Sequence, residues 1–453
     1  MVSVTLLQSD MQPTNTRVCS LDRLLACKWS VSIRSQSPVS CCSLADRLLA
    51  SDAGFVPKDS LNLGQGFMSW APPAFVQDAI HKSINGVMEH HYSHPRGRIG
   101  LRNALSKYLS SGFNLPEGRE LDPESEVLVT AGANGGMYAF ATAFLQPGDE
   151  VIIFEPFFDQ YPAQITFNGG VPRYVALKPP AKASTSTVSA AEWTIDMDEL
   201  EATITPRTKS IWVNTAHNPT GKVFSEDELL AIGRLARKHN LLILSDEVYD
   251  CLAFAPARHT RIAALEDFWE RTVTVGSVGK SFACTGWRVG WSVGPKDLIR
   301  GVLAAHTRLV FSCNSPAQEA AGDSIVQALD NGFFDKQRDE YIERRQVLME
   351  GLDKLGLPYT VPDGAYYILV NIERLQIPDD FETLDIIKHK PNDWRAAWFI
   401  AKTAGVVTIP PTDFYSAGHT DIGEKFIRIA FCKDPDTLRA ACERLLQLEP
   451  YIT

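Results

Sequence analysis

No stretch of this 453-residue chain approaches the ~18 consecutive apolar residues that a membrane-crossing helix needs. Positive charge is also short: 44 Lys and Arg stand against 54 Asp and Glu, a formal net charge of −10. That balance argues against nucleic acid as a partner, though a local basic pocket stays open. The 9 cysteines form no CxxC pair and no zinc-like spacing. No metal site is expected from them, and an odd count in a long chain suggests free thiols in a reducing compartment. A complete P-loop is missing too. Gly279-Lys280-Ser281 looks like the end of one, but Thr274 occupies the place of its first glycine. The "TGWRVGW" that follows reads as a turn and a strand rather than the helix that would face a nucleotide phosphate. Residues 1–40 lack the apolar core of a secretory signal. They are rich in Ser and carry Arg17, Arg23, Lys28 and Arg34 against only Asp10 and Asp22. This leaves a mitochondrial presequence or a disordered tail, and the cytoplasm or the mitochondrion as the expected compartment.

From about residue 125 a rhythm appears. The runs "EVLVTAG", "EVIIFEP", "KSIWVN", "LLILSDE" and "RTVTVGS" alternate with helical patterns such as "GGMYAFATAFLQ" and "SEDELLAIGRLARKHN". Continuous apolar runs between helices mark parallel strands buried on both faces. The expected fold class is α/β: a large domain with a mostly parallel sheet between helices over 76–330. A smaller α+β domain is expected from the N-terminal segment 41–75 and the C-terminal segment 331–453. Ligands in such folds sit beyond the carboxyl ends of the strands. Those ends read Gly132-Ala133-Asn134-Gly135, Glu155-Pro156-Phe157-Phe158, Asn214, Asp246-Glu247 and Ser277, with Lys280 just beyond.

A lysine on a turn with that rim suits a Schiff base, and pyridoxal phosphate is the usual aldehyde. Its phosphate calls for a helix start and a cation, which Ala133, Asn134, Ser277 and Arg288 can supply. Its ring nitrogen calls for a buried carboxylate, and Asp246 ends a central strand. Asn218 and Tyr249 are candidates for the phenolic oxygen, and Phe158 for the ring face. Each has a plainer reading. Lys280 could be solvated, Asp246 a helix cap, Phe158 core packing, and Arg428, in the strand "EKFIRIAFCKD", one half of a structural ion pair.

"SVGKSFACTGWRVG", "NTAHNPTGKVF" and "SDEVYD" resemble the lysine, Asn-Pro-x-Gly and Asp-x-x-Tyr motifs of the class-I aminotransferases, in the expected order. The resemblance runs from about Leu61 to about Leu445 and implies PLP-transferase fold type I. "NLGQGF", "YSHPRG", "EPFFDQY", "AHTRLVF" and "GVVTIPPTDFY" are similar to the branch of kynurenine aminotransferases and cysteine-S-conjugate β-lyases, the fungal kynurenine aminotransferases above all. The resemblance implies that Lys280 carries pyridoxal 5'-phosphate and moves the substrate proton. It implies that Asp246 pairs with the ring nitrogen, and that Asn218 and Tyr249 hold the phenolic oxygen. Ala133, Asn134, Ser277 and Arg288 take the phosphate, and Tyr92 reaches the phosphate of a second subunit in a homodimer. Arg428, with Asn218 and Gly66, takes the substrate carboxylate, while Phe67, Trp70 and Phe311 line the side-chain pocket. Asn134 and Ser312 depart from the tyrosine and histidine of mammalian members.

The leading expectation is therefore amino transfer from kynurenine, or another aromatic or bulky amino acid, to a 2-oxo acid, giving kynurenic acid. β-Elimination on cysteine S-conjugates or broad amino-acid transamination could use the same site. A non-catalytic regulator on the same fold is the reading from another class.

Overall fold

In this computed structural model residues 56–453 are described. The expected tail over 1–40 and residues 41–55 of the expected small domain lie outside them. In chain order the strands are β1 (Leu61–Asn62), β2 (Val127–Thr130), β3 (Glu150–Glu155), β4 (Val171–Lys178), β5 (Val188–Ser189), β6 (Thr194–Ile195) and β7 (Thr208–Asn214). They continue with β8 (Leu242–Asp246), β9 (Thr272–Ser277), β10 (Gly290–Val293), β11 (Thr360–Val361), β12 (Tyr367–Asn371), β13 (Val406–Val407) and β14 (Phe426–Ala430).

Eight of them form one sheet in the order β2-β10-β9-β8-β7-β3-β4-β6. The run β4-β3-β7-β8-β9 is parallel throughout, and β10 and β6 are antiparallel to their neighbours. The fold class expected from the apolar runs is the one observed. Side chains alternate between faces with period two. Trp212 and Leu244 therefore join one core with Met137 and Phe140 of the helix Gly132–Phe144. Their strand neighbours Ile211 and Ile243 join another with Leu229, Ile232 and Ala236 of the helix Glu226–Lys238. That helix begins at a capping box: Ser225 Oγ accepts from Glu228 N at 3.2 Å, and Glu228 Oε2 accepts from Ser225 N at 2.9 Å. Two orphan amides of the first turn are satisfied in this way.

Beyond the sheet, β12 and β14 pair antiparallel, with Leu369 opposite Arg428. The helix Phe333–Leu355 packs against the helix Pro435–Leu445. The N-terminal segment joins these later elements rather than the large sheet. β1 pairs in parallel with β13, and Ala430 N donates to Leu63 O at 2.7 Å. That pairing sets Gly64-Gln65-Gly66-Phe67 beside Arg428. Among the described residues no helix is long and apolar enough to cross a membrane.

Candidate active site

Because five adjacent strands run in parallel, their carboxyl ends open on one edge of the sheet. Around a cavity of about 180 Å³ there, the structure gathers Ala133, Asn134, Phe158, Asn214, Asn218, Asp246, Tyr249, Ser277, Lys280 and Arg288.

Lys280 sits on the single turn Val278–Ser281 directly after β9. Its Nζ donates to Tyr366 Oη at 2.8 Å and to Gly66 O at 3.2 Å. Burial pushes the amine down from its usual range to about 8. Asp246, at the end of β8, is buried and forms no ion pair with a Lys, Arg or His among the described residues. Burial lifts its carboxyl to about 6, against hydrogen bonds from Tyr161 and the Val248 amide. Tyr161 Oη donates to Asp246 Oδ2 at 2.5 Å. A buried carboxylate without a cation is costly, and here it faces a cavity.

The helix Gly132–Phe144 starts at the cavity wall without a side-chain cap. Its first amides form an anion site by geometry and dipole alone. Ala131 N is held separately by His306 Nε2 at 3.2 Å. Burial lowers that imidazole to about 4, so it stays a neutral acceptor. Gly132 has φ 69°, and a Cβ there would stand 2.6 Å from Arg288 Nη2, so the glycine lets the guanidinium close on the helix start. Arg288 itself is left-handed at φ 55° and has no carboxylate partner among the described residues.

Arg428 lies just behind this cavity. Its Nη1 donates to Asn218 Oδ1 at 3.1 Å and its Nη2 to Gly64 O at 2.8 Å, while Nε is buried without a partner. The rings of Tyr367 and Phe414 lie 4.4 and 4.9 Å from its guanidinium carbon. It is 6% exposed with no carboxylate beside it, so a planar cation with a free donor awaits an anion.

Four expected residues are not brought to the cavity. Phe67 is half exposed, its ring 3.7 Å below Lys433 Nζ, whose ammonium caps the Gln65 and Phe67 carbonyls. Trp70 is taken up elsewhere: Arg344 of the helix Phe333–Leu355 stacks on it at 4.2 Å and Tyr341 meets its edge. Tyr92 and Phe311 contact each other edge-to-face at 5.4 Å and are both exposed. Gly66 adjoins through its carbonyl, and a Cβ on it would strike Tyr367 Oη at 1.9 Å.

Conversely, Tyr161, Tyr366 and Tyr367 are at the site although the motifs did not single them out. The signal was present in "EPFFDQY" and in "DGAYYILV", where two tyrosines enter a strand directly after a glycine turn.

Pyridoxal phosphate fits this donor set on three counts. An uncapped helix start with an unpaired arginine suits its phosphate, a cation-less buried carboxylate its ring nitrogen, and a buried amine of lowered pKa its aldehyde. Only the neutral amine attacks a carbonyl. Capture of pyridoxal phosphate by the apoprotein should therefore accelerate as pH rises through about 8. Borohydride trapping at short times measures this, and a rate that does not change across that pH would contradict it.

A parallel sheet with a lysine, a buried aspartate and a free arginine at its carboxyl edge defines a pyridoxal-phosphate enzyme acting on amino acids. The family model for aminotransferase class I and II matches residues 58–445, and the chain belongs to that family, whose members depend on pyridoxal phosphate. It is 41% identical over 443 residues, covering 97% of this chain and 98% of the relative, to a Saccharomyces cerevisiae protein named "Probable kynurenine--oxoglutarate transaminase BNA3". It is 38% identical to the kynurenine--oxoglutarate transaminase of Dictyostelium discoideum, over 86% of this chain and 91% of that one. The crystal structure of Bna3p from Saccharomyces cerevisiae superposes with a TM-score of 0.88 at 40% identity, covering 96% of this chain and all of the other. The protein is thus a transaminase, and the reading as a regulator without catalysis falls away.

Proposed function

We propose that the protein transfers the amino group of kynurenine, and of other aromatic or bulky amino acids, to a 2-oxo acid, and that the oxo product of kynurenine closes to kynurenic acid. The names of the relatives support this reading. The observation that carries it is Arg428: a buried guanidinium with no carboxylate partner among the described residues, bonded to Asn218, which lines the cavity that holds Lys280. An α-carboxylate can take two parallel hydrogen bonds from such a fork, and this fixes the substrate Cα near the lysine. When bound, pyridoxal phosphate supplies an aldehyde for the amino group and a ring that draws negative charge from Cα.

The chain's own residues do the rest. Lys280 Nζ, kept basic but largely deprotonated at alkaline pH by burial, would take the proton from Cα and return it on the cofactor side. Asp246, its carboxylate fixed by Tyr161, would hold a proton on the ring nitrogen. Asn218 and Tyr249 would supply donors for the phenolic oxygen, and Phe158 would cover a ring face. Ala133, Asn134, Ser277 and Arg288 would hold the phosphate.

Lys280 and Arg288 are the only cations lining the cavity among the described residues, and both have roles already. A side-chain carboxylate finds no partner there, so aspartate should be a poor donor and kynurenine a good one. Arg428→Lys should raise KM for all amino-acid substrates together by about tenfold or more, as loss of a bidentate charged pair requires. Kynurenic acid formed from kynurenine with a panel of 2-oxo acids, set against aspartate consumption, tests the proposal. Efficient use of aspartate with no kynurenic acid would sink it.

The active unit is proposed to be a homodimer. Exposed apolar side chains fall on Ile84, Val87, Met88, Tyr92 and Ile99 and on Leu309, Val310 and Phe311, and the Tyr92–Phe311 contact joins the two groups. Such a patch marks an interface. In a homodimer Tyr92 and Phe311 would complete the partner's site, and sedimentation should give twice the chain mass.

A further inference from the structure

Glu155 is the last residue of β3, directly before the Pro156-Phe157-Phe158 turn that supplies the cavity's aromatic wall. It is fully buried, yet its carboxylate does not face the cavity. It is taken instead by a segment more than two hundred residues away: it accepts from Ser416 N and meets His419 Nδ1. One step along the turn, Phe157 N donates to Phe414 O at 2.8 Å. The far end of the same segment is held by a second buried carboxylate. Asp393, on the helix Asn392–Thr403, accepts from Thr412 N at 2.7 Å and from Thr412 Oγ1 at 3.0 Å.

Phe414 lies between these two anchors. Its ring is one of the two against the Arg428 guanidinium, at 4.9 Å, and it is 2% exposed. The segment therefore ties together two things that belong to different parts of the fold: the arginine on β14 and the aromatic turn at the end of β3. Burying a carboxylate at a strand end is unfavourable unless polar partners meet it, and nothing in β3 itself requires one. Burial pushes the Glu155 carboxyl up from its ordinary range, and the Ser416 amide and His419 draw it back. Among the contacts of Glu155, those to Ser416 and His419 are the ones that repay its burial, and both lie on the segment carrying Phe414.

We infer that Glu155 and His419 are a positioning pair: they strap the Phe414 segment to the cofactor turn and so hold Arg428 in register with the reacting Cα. Neither residue touches substrate. The inference rests on Arg428 being the carboxylate site. Loosening the strap should misplace the guanidinium relative to the cofactor wall and weaken every α-carboxylate ligand alike. A saturating substrate, once bound, restores the placement and reacts at close to the normal rate.

The test uses full-length holoenzyme carrying Glu155→Gln or His419→Gln, assayed with whichever amino acid the wild type turns over fastest. A monocarboxylate without an amino group, 3-phenylpropionate, serves as a competitive probe. We expect KM for amino donor and oxo acid and the inhibition constant of the probe to rise together by about five- to tenfold, the loss expected for one charge-assisted link. kcat should stay within about twofold, and the bound-cofactor absorbance and cofactor retention should not change. In a double variant with Arg428→Lys, the two losses should combine to less than their product, because they act through one group.

If KM and the inhibition constant are unchanged in a folded, cofactor-loaded variant, the strap is wrong. A lower Tm and poorer cofactor retention with normal KM in the loaded fraction would make the pair merely structural. Full multiplication with Arg428→Lys would also overturn it. If Glu155→Gln does not fold, His419→Gln carries the test, since that ring is partly on the surface. If Arg428→Lys alone leaves KM and the inhibition constant unchanged, the carboxylate reading fails and the strap falls with it.

Discussion

Lys280→Ala should leave a folded protein that still takes up pyridoxal phosphate, but from which borohydride no longer yields a covalent adduct. Its kcat should fall by about 10²–10⁴-fold from the loss of a positioned proton carrier alone. The phosphate cradle proposed for Ala133, Asn134, Ser277 and Arg288 does not include the lysine, so retention of cofactor is expected. The ε-amine now donates to Tyr366 Oη and Gly66 O, and removing it leaves those two groups still bonded to each other at 2.9 Å. No buried acceptor is orphaned, which is why the fold should survive. Peptide mapping of the reduced wild type should find the adduct on the Lys280 peptide. Labelling of another lysine, or turnover in the variant near the wild-type rate, would remove Lys280 from the mechanism.

Asp246→Asn should cost about 10²–10³-fold in kcat, the scale of one lost electrostatic contact to developing charge. Asparagine is nearly the same shape, and its carbonyl can still accept from Tyr161 Oη, so folding and cofactor binding should hold. The amide cannot keep a proton on the ring nitrogen, and the ring then draws less charge from Cα. Tyr161→Phe is the control, because it removes one hydrogen bond to Asp246 but leaves the carboxylate. Its loss should be much smaller, in line with the ~0.5–1.5 kcal/mol net value of a hydrogen bond, or up to about 3 to a charged group. Near-normal turnover in Asp246→Asn would mean that the carboxylate serves the fold rather than the chemistry.

The sheet was legible because its central strands are buried on both faces and so appear as short runs of apolar and β-branched residues. β4 escaped that reading for the same reason in reverse. Pro172 and Arg173 follow its first residue, Val171, and its first half is partly exposed, so no continuous apolar run marks it. The residues at strand ends, from Gly132 to Lys280, could be placed at one edge because parallel strands share a direction. The later tyrosines could not. Adjacent positions in a strand face opposite ways, so Tyr366 and Tyr367 look like one core and one surface residue. The left-handed Ala365, at φ 57°, turns the chain at the strand entrance and brings both to the site. Trp70 shows the opposite failure. The family resemblance implies a pocket wall there, but a long helix distant in sequence offers Arg344 to its face, and only tertiary packing reveals that competitor. The strap through Glu155 joins segments too far apart for any local pattern to connect them.

Transfer of the amino group from kynurenine to the cofactor is isolated by a half-reaction. Holoenzyme is mixed with excess kynurenine in the absence of any 2-oxo acid, and kynurenic acid is counted per active site. We expect a burst that stops at one equivalent and resumes when a 2-oxo acid is added, because the amino group stays on the cofactor until an acceptor removes it. Absence of the burst in enzyme that performs the same half-reaction with other amino acids, or turnover beyond one equivalent without an acceptor, would rule out kynurenine transamination by this site.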